Sequence, residues 1–199
     1  MFNVIFDGIE VDVLSLGDAD CIVVTKWQDS VPHRILIDGG RDGDAETILD
    51  FLLGRDYTEF WAAICTHLHD DHASGLIKVV RSPHITIHNG YMRDIRSHIT
   101  ADALRRASSA DDGVRQVVET TKELASAFAS RDVPVYEPFA GDWVADWPDM
   151  TVLGPSLPFL RKDNQGIYEC EPDTCANPGA FPVERVVSMG ARWETASDF

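Results

Sequence analysis

The chain has 199 residues, 44% of them hydrophobic, and sets 33 acidic against 17 basic side chains for a formal net charge of -16. That length and hydrophobic share suit one globular domain, or one domain with a tail, and leave room for a sizeable core. The acidic balance repels phosphate backbones, which excludes non-specific nucleic-acid binding of the usual basic kind but not a nuclease that holds one phosphodiester through metal ions.

The start, Met1-Phe2-Asn3-Val4, lacks the charged-then-apolar pattern of a secretory signal, and no apolar run nears the roughly 20 residues needed to span a bilayer. The expected location is therefore the cytoplasm, without a membrane partner. Val11 to Leu16 alternates as a strand, Asp18-Ala19-Asp20 makes a turn, and Cys21 to Thr25 is a β-branched run. Polar residues from Trp27 to Pro32 predict a hairpin to the strand Arg34-Ile35-Leu36-Ile37, which ends at Asp38-Gly39-Gly40. Two glycines there permit a sharp turn and positive φ. Asp44 to Leu53 predicts a helix capped by Asp44 and stopped by Gly54, and Trp61 to Cys65 the next strand. Strand, helix and strand form a crossover unit with parallel neighbouring strands, so Asp38 and whatever follows Cys65 leave the sheet at the same edge.

Gly75 to Arg81 reads as a short helix, Pro83 to His88 as a strand ended by Asn89-Gly90, and Tyr91 to Ala110 as weakly helical at best. After the interruption at Asp111-Asp112-Gly113, apolar residues from Val114 to Phe128 fall at helical spacing and mark a core-facing helix. Val133 to Tyr136 and Met150 to Leu153 are candidate strands. From about Leu160 to Phe199, Pro and Gly recur and only Val183 to Val187 looks like a strand, so residues 159–199 read as a loosely packed or partly disordered tail behind a domain of residues 1–158. Four scattered cysteines make no disulfide framework; Cys21 and Cys65 are expected as buried free thiols, and Cys170 with Cys175 is a poor zinc signal without a second pair.

The stretch between Cys65 and Leu76 carries the chemistry: Thr66-His67-Leu68-His69-Asp70-Asp71-His72, then Ala73-Ser74-Gly75. Three histidines and two aspartates in six residues are costly to bury unless paired or ligated. His67 and His69 share one face of a strand but diverge on a helix, and His72 fits neither period with them, so joint ligation requires a turned loop between strand and helix. Imidazole with carboxylate suits zinc and also admits manganese or iron. Asp70 reads as an exposed loop charge, Asp38 as a site residue or a turn carboxylate, Asp142 as a turn residue after Gly141, His84 and His88 as ordinary sheet positions, and His33 and His98 as surface residues.

This is an H-x-H-x-D-H motif, and with Asp38 in Ile37-Asp38-Gly39-Gly40 the chain resembles the metallo-β-lactamase-fold hydrolases. Val13 to Asp20 followed by Ile35 to Gly40 resembles the subgroup that includes the nuclease-like domain of competence DNA-uptake proteins. The resemblance spans roughly residues 10–155. It implies an α/β chain of the αββα sandwich type with its first half clearly present, and one or two zinc ions, with His67 and His69 at the first and Asp71 and His72 at the second. Asp71 is then also the catalytic carboxylate, and Asp38 stands behind the ligands and orients them. The implied reaction is hydrolysis of an ester, phosphodiester or amide by a metal-bound hydroxide, on a small-molecule or phosphodiester substrate. The chain departs from the pattern after His98, beyond which it has no histidine, while Asp142, Asp146, Asp149 and Asp163 are available carboxylates. That departure implies a shortened member. Its alternative function is a non-catalytic binding or regulatory module that keeps part of the metal site, with a protein partner or a second copy covering the incomplete sandwich.

Overall fold

The computed structural model describes residues 7–98, 100–144 and 147–154. The tail 159–199, with Val183 to Val187, Cys170, Cys175 and Asp163, lies outside the described residues, as does Asp146.

Eight strands are described: β1 (Gly8–Val13), β2 (Ile22–Gln28), β3 (Val31–Ile37), β4 (Glu59–Ile64), β5 (Thr86–Tyr91), β6 (Val135–Tyr136), β7 (Trp143–Val144) and β8 (Trp147–Thr151). The four helices are α1 (Ala45–Gly54), α2 (Asp70–Arg81), α3 (Ala101–Ala110) and α4 (Asp112–Ala129). Strands β1 to β6 form one sheet in sequence order, with β1, β2 and β3 antiparallel and β3 to β6 parallel; β7 and β8 form a separate antiparallel pair.

Period-2 alternation sends successive side chains to opposite faces of this sheet. Val23, Leu36 and Ala63 face one way, into a core shared with Ile48 and Leu52 of α1, Leu76 and Val80 of α2, and Leu124 and Phe128 of α4. Their neighbours Val24, Ile35 and Ala62 face the other way, where Val144 and Trp147 from the β7–β8 pair cover them. Helices on one face and strands on the other make this an α/β architecture of helix, sheet and second strand layer, the expected first half of an αββα sandwich. No helix among the described residues is long and apolar enough to cross a membrane.

Local chemistry explains where the elements differ from expectation. The β2–β3 hairpin turns on Asp29 and Ser30, both at positive φ, the two-residue loop whose twist matches that of the strands. Helix α1 runs through Gly54; Asp56, at φ 58°, takes the left-handed position after it, a conformation aspartate tolerates. Asp44 does not cap α1 with its side chain, because its carboxylate accepts the Arg41 N–H at 2.8 Å. The weakly helical segment holds a full helix, α3, and β5 continues through Asn89 and Gly90 to Tyr91. Strand β1 begins earlier than its alternation suggests and points its apolar side chains outward: Ile9, Val11 and Val13 are each more than half exposed. Glu10 and Asp12 point the other way, where Trp27 Nε1 donates to Glu10 at 3.3 Å and Tyr57 Oη to Asp12 at 3.3 Å.

Cys21 and Cys65 are buried free thiols, as expected. Burial and, after it, the nearby Asp38 carboxylate push both up, Cys21 to about 12. The thiolate is the reactive form. Iodoacetamide at pH 8 should therefore leave both unmodified in the native chain and alkylate both in urea, as read by peptide mass mapping; native labelling of either would contradict the packing.

Candidate metal centre

The site grows from the register of two parallel strands. Ile37 pairs with Ile64, so β3 and β4 end together, and the Asp38 N–H donates to the Ile64 carbonyl at 2.8 Å. Asp38 then leaves the sheet at φ 58° and is 3% exposed. Of the two glycines after it, only Gly40 has positive φ; Gly39 serves a close approach instead, since a Cβ there would lie 2.4 Å from the backbone nitrogen of Leu76.

A buried carboxylate needs polar partners, and Asp38 has three. Its Oδ1 accepts the Thr66 N–H at 2.8 Å, and its Oδ2 accepts the Thr66 hydroxyl at 2.6 Å and lies 2.9 Å from His72 Nδ1. Asp38 thus ties the ends of both strands to the first turn of α2. The turn-carboxylate alternative accounts for none of these three contacts.

The expected loop is shorter than its sequence suggests. Helix α2 starts at Asp70 rather than Gly75, with His69 as its N-cap, so Asp71 and His72 sit in a helical first turn. Asp70 and Asp71 suit that turn because carboxylates favour the positive end of the helix dipole. Asp70 is only partly exposed and accepts the Ser74 hydroxyl. Leu68 is buried and anchors the loop, leaving His67 and His69 outside, and the Cys65 thiol donates to the His67 carbonyl at 3.0 Å.

The fold brings every residue of the motif together. The His67 ring stands edge-on to His69 with centroids 4.8 Å apart and lies over His72 at 3.8 Å, tilted 48°. Asp71 Oδ2 is 3.7 Å from His72 Nε2. Partial loss of hydration first, then the neighbouring His72 and His69, shift the exposed His67 downward from the ordinary histidine value, which favours the neutral imidazole a metal needs.

Two residues outside the motif also reach the site. Asp20 places its Oδ2 3.7 Å from His72 Nδ1, its N–H donates to the Asp71 carbonyl at 3.3 Å, and its carbonyl accepts the Gly40 N–H at 2.9 Å. The signal was its place in the turn before β2, the strand paired with the one that ends at Asp38. Thr66 was visible only as the residue before His67, yet it contacts both Asp38 and His67.

Four of the other candidates have partners elsewhere. Asp142 Oδ2 accepts the Phe139 N–H at 2.9 Å within its own turn. His88 is exposed and pairs with Glu59, while His33 and His98, expected at the surface, are partly buried, the first against the Trp61 ring and the second on Glu137.

Among the described residues no group of three or more His, Cys, Asp or Glu side chains stands ready to hold an ion as placed. The donor chemistry nevertheless fits a divalent cation: three imidazoles and a carboxylate in one cluster, and a buried carboxylate behind one imidazole. When His72 donates Nδ1–H to Asp38, its Nε2 lone pair is left for a metal, the usual orientation of a ligating histidine.

No protein-family model matches the chain, and no curated protein does. Among solved structures, a chain from Thermotoga maritima provisionally described as a metallo-beta-lactamase aligns with a TM-score of 0.38 and 11% identity, over 68% of this chain and 62% of its own. This chain therefore spans less than two thirds of that neighbour's length.

Proposed function

We propose that the chain is a metal-dependent hydrolase of ester, phosphodiester or amide bonds, with zinc as the first metal to test and manganese or iron as alternatives. The observation that carries this is the cluster of His67, His69 and His72 at the shared end of β3 and β4, with His72 Nδ1 2.9 Å from Asp38. His67 and His69 would hold one ion, and Asp71 and His72 a second. A bound divalent ion supplies a water acidified to a pKa of about 7 and polarises the bond to be cut. The chain's own groups do the rest. Asp38 and the first turn of α2 hold the imidazoles in place, and Asp71, partly exposed beside His72 Nε2, can accept a proton from a water held at the cluster. The resemblance of Val13 to Asp20 and Ile35 to Gly40 to the competence nuclease-like subgroup makes phosphodiesters the first substrates to try.

Metal analysis on the purified chain, with hydrolysis of aryl esters and a bis-aryl phosphodiester, tests this. We expect one to two zinc ions per chain and turnover abolished by chelation. His67→Ala with His69→Ala should weaken zinc binding at least tenfold and reduce turnover about a hundredfold or more, given the usual worth of ligands and their supports. Turnover that survives this double substitution would sink the proposal. A second reading, a non-catalytic binding or regulatory module, is favoured by the lack of a ready ion-holding group among the described residues. Tight metal binding without turnover on any of these substrates would select it.

A further inference from the structure

Thr66 lies between the buried carboxylate and the histidine cluster, and its geometry restricts where protons sit. Its Oγ1 is 2.6 Å from Asp38 Oδ2 and 3.1 Å from His67 Nδ1. A hydroxyl has one proton to give and lone pairs to receive with, whereas an ionised carboxylate only accepts. The hydroxyl proton therefore goes to Asp38. The contact with His67 is then a hydrogen bond only if His67 Nδ1 carries a proton and donates it to Thr66 Oγ1. His72 reaches the same Asp38 oxygen directly through its own Nδ1 at 2.9 Å.

We propose that Thr66 is a positioning residue that relays Asp38 to His67 and holds His67 as the Nδ1–H tautomer, so that one carboxylate orders two imidazoles, His72 directly and His67 through one hydroxyl. Both rings then keep Nε2 as the free lone pair. The consequence for a cation rests on the metal reading above, while the tautomer does not. The two ring centroids lie 3.8 Å apart with the planes tilted 48°, so a change of tautomer at either ring would put a proton on the Nε2 that a cation needs as a lone pair.

The experiment is two-bond 1H–15N correlation on the uniformly labelled, metal-free chain near pH 8, where neutral imidazoles show which nitrogen carries the proton. His67 and His72 should both read as Nδ1–H in the wild type. Thr66→Val, nearly the same shape without the hydroxyl, should move His67 to Nε2–H and leave His72 unchanged, and Thr66→Ser should restore the wild-type pattern. Zinc affinity by competition with a chromogenic chelator should fall roughly 10- to 100-fold in Thr66→Val, the usual loss for a residue supporting a ligand, and recover to within about threefold in Thr66→Ser. A wild-type His67 protonated at Nε2 overturns the relay without any variant, and so does a Thr66→Val chain whose His67 tautomer is unchanged. If the tautomers read as expected but the wild type takes up no zinc, the relay stands and the proposed hydrolase falls.

Discussion

Gly75→Ala is expected to destabilise the chain by about 3 kcal/mol, the upper end of the usual overpacking cost, against the ordinary helix preference for alanine over glycine of about 1 kcal/mol. Gly75 lies inside α2, where alanine would normally be the better residue. Here a Cβ would stand 2.0 Å from the Gly39 carbonyl oxygen and 2.5 Å from that of Arg41, and both obstacles are backbone. No rotamer change relieves such a contact, so the helix must move off the loop. That movement breaks the Gly75 N–H bond to the Gly40 carbonyl at 2.9 Å and the Gly39 N–H bond to the His72 carbonyl at 2.8 Å. The second of these seats the turn that carries Asp71 and His72, so zinc affinity should fall with stability. Gly54→Ala, in α1 with nothing near the added carbon, is the control and should be neutral or stabilising by up to about 1 kcal/mol. Urea denaturation of the three chains checks the contrast, and a Gly75→Ala midpoint equal to the wild type would show that the approach is looser than described.

The elements that could be read from sequence are those whose side chains report burial directly. The β-branched runs of β2 and β3, and the apolar stripes of α1 and α4, alternate or repeat because one face meets the core, so their periods survive in the residues themselves. The meeting of Asp38 with the histidine stretch was legible too, because a strand–helix–strand crossover forces β3 and β4 to end at one edge. The first turn of α2 was not, because Asp70, Asp71 and His72 carry no apolar signal. The stripe Ala73, Leu76, Ile77 and Val80 does run at helical spacing, and two carboxylates one turn before it mark a helix N-terminus, so the sign was present but chemical rather than hydrophobic. Strand β1 runs against its pattern because its apolar side chains face outward while Glu10 and Asp12, partly buried on the opposite face, meet Trp27 and Tyr57. Thr66 and Asp20 act through distances set by tertiary packing, which no spacing along the chain encodes. In the described residues, His33 and His98 are partly buried for the same reason, held by Trp61 and Glu137 from distant segments.

Substitutions at Asp38 should separate the fold's need for a carboxylate from the site's need for it. Asp38→Ala removes the acceptor of the Thr66 N–H, the Thr66 hydroxyl and His72 Nδ1 at once, and places a Cβ-bearing residue with no local hydrogen bond at φ 58°. Hydrogen bonds to a charged group are worth about 1.5–3 kcal/mol each, but the Thr66 groups lie near the surface and can turn to water, so the expected net loss is about 3 kcal/mol. For a chain of this size that is a fall in melting temperature of roughly 6–12 °C. Asp38→Gly loses the same bonds without the left-handed penalty and should recover about 1 kcal/mol of the loss. Asp38→Asn is the informative member. The amide keeps shape, tolerance for positive φ and one acceptor, so stability should fall by only about 1–2 kcal/mol. If the amide turns its NH2 toward His72, Nδ1 can no longer donate there and the proton moves to Nε2; if it turns its oxygen there, the Thr66 N–H loses its acceptor. Either way residue 38 can no longer serve both imidazoles and the strand end together. We expect Asp38→Asn to weaken zinc binding by 10- to 100-fold while the chain stays folded at 25 °C, and Asp38→Ala to weaken it at least as much with a larger loss of fold stability. Thermal melts of the metal-free variants measure the structural part, and zinc competition at 25 °C measures the other. An Asp38→Asn chain with wild-type zinc affinity would mean that Asp38 serves only to close the strand ends, and the ordering of His72 and His67 would have to come from somewhere else.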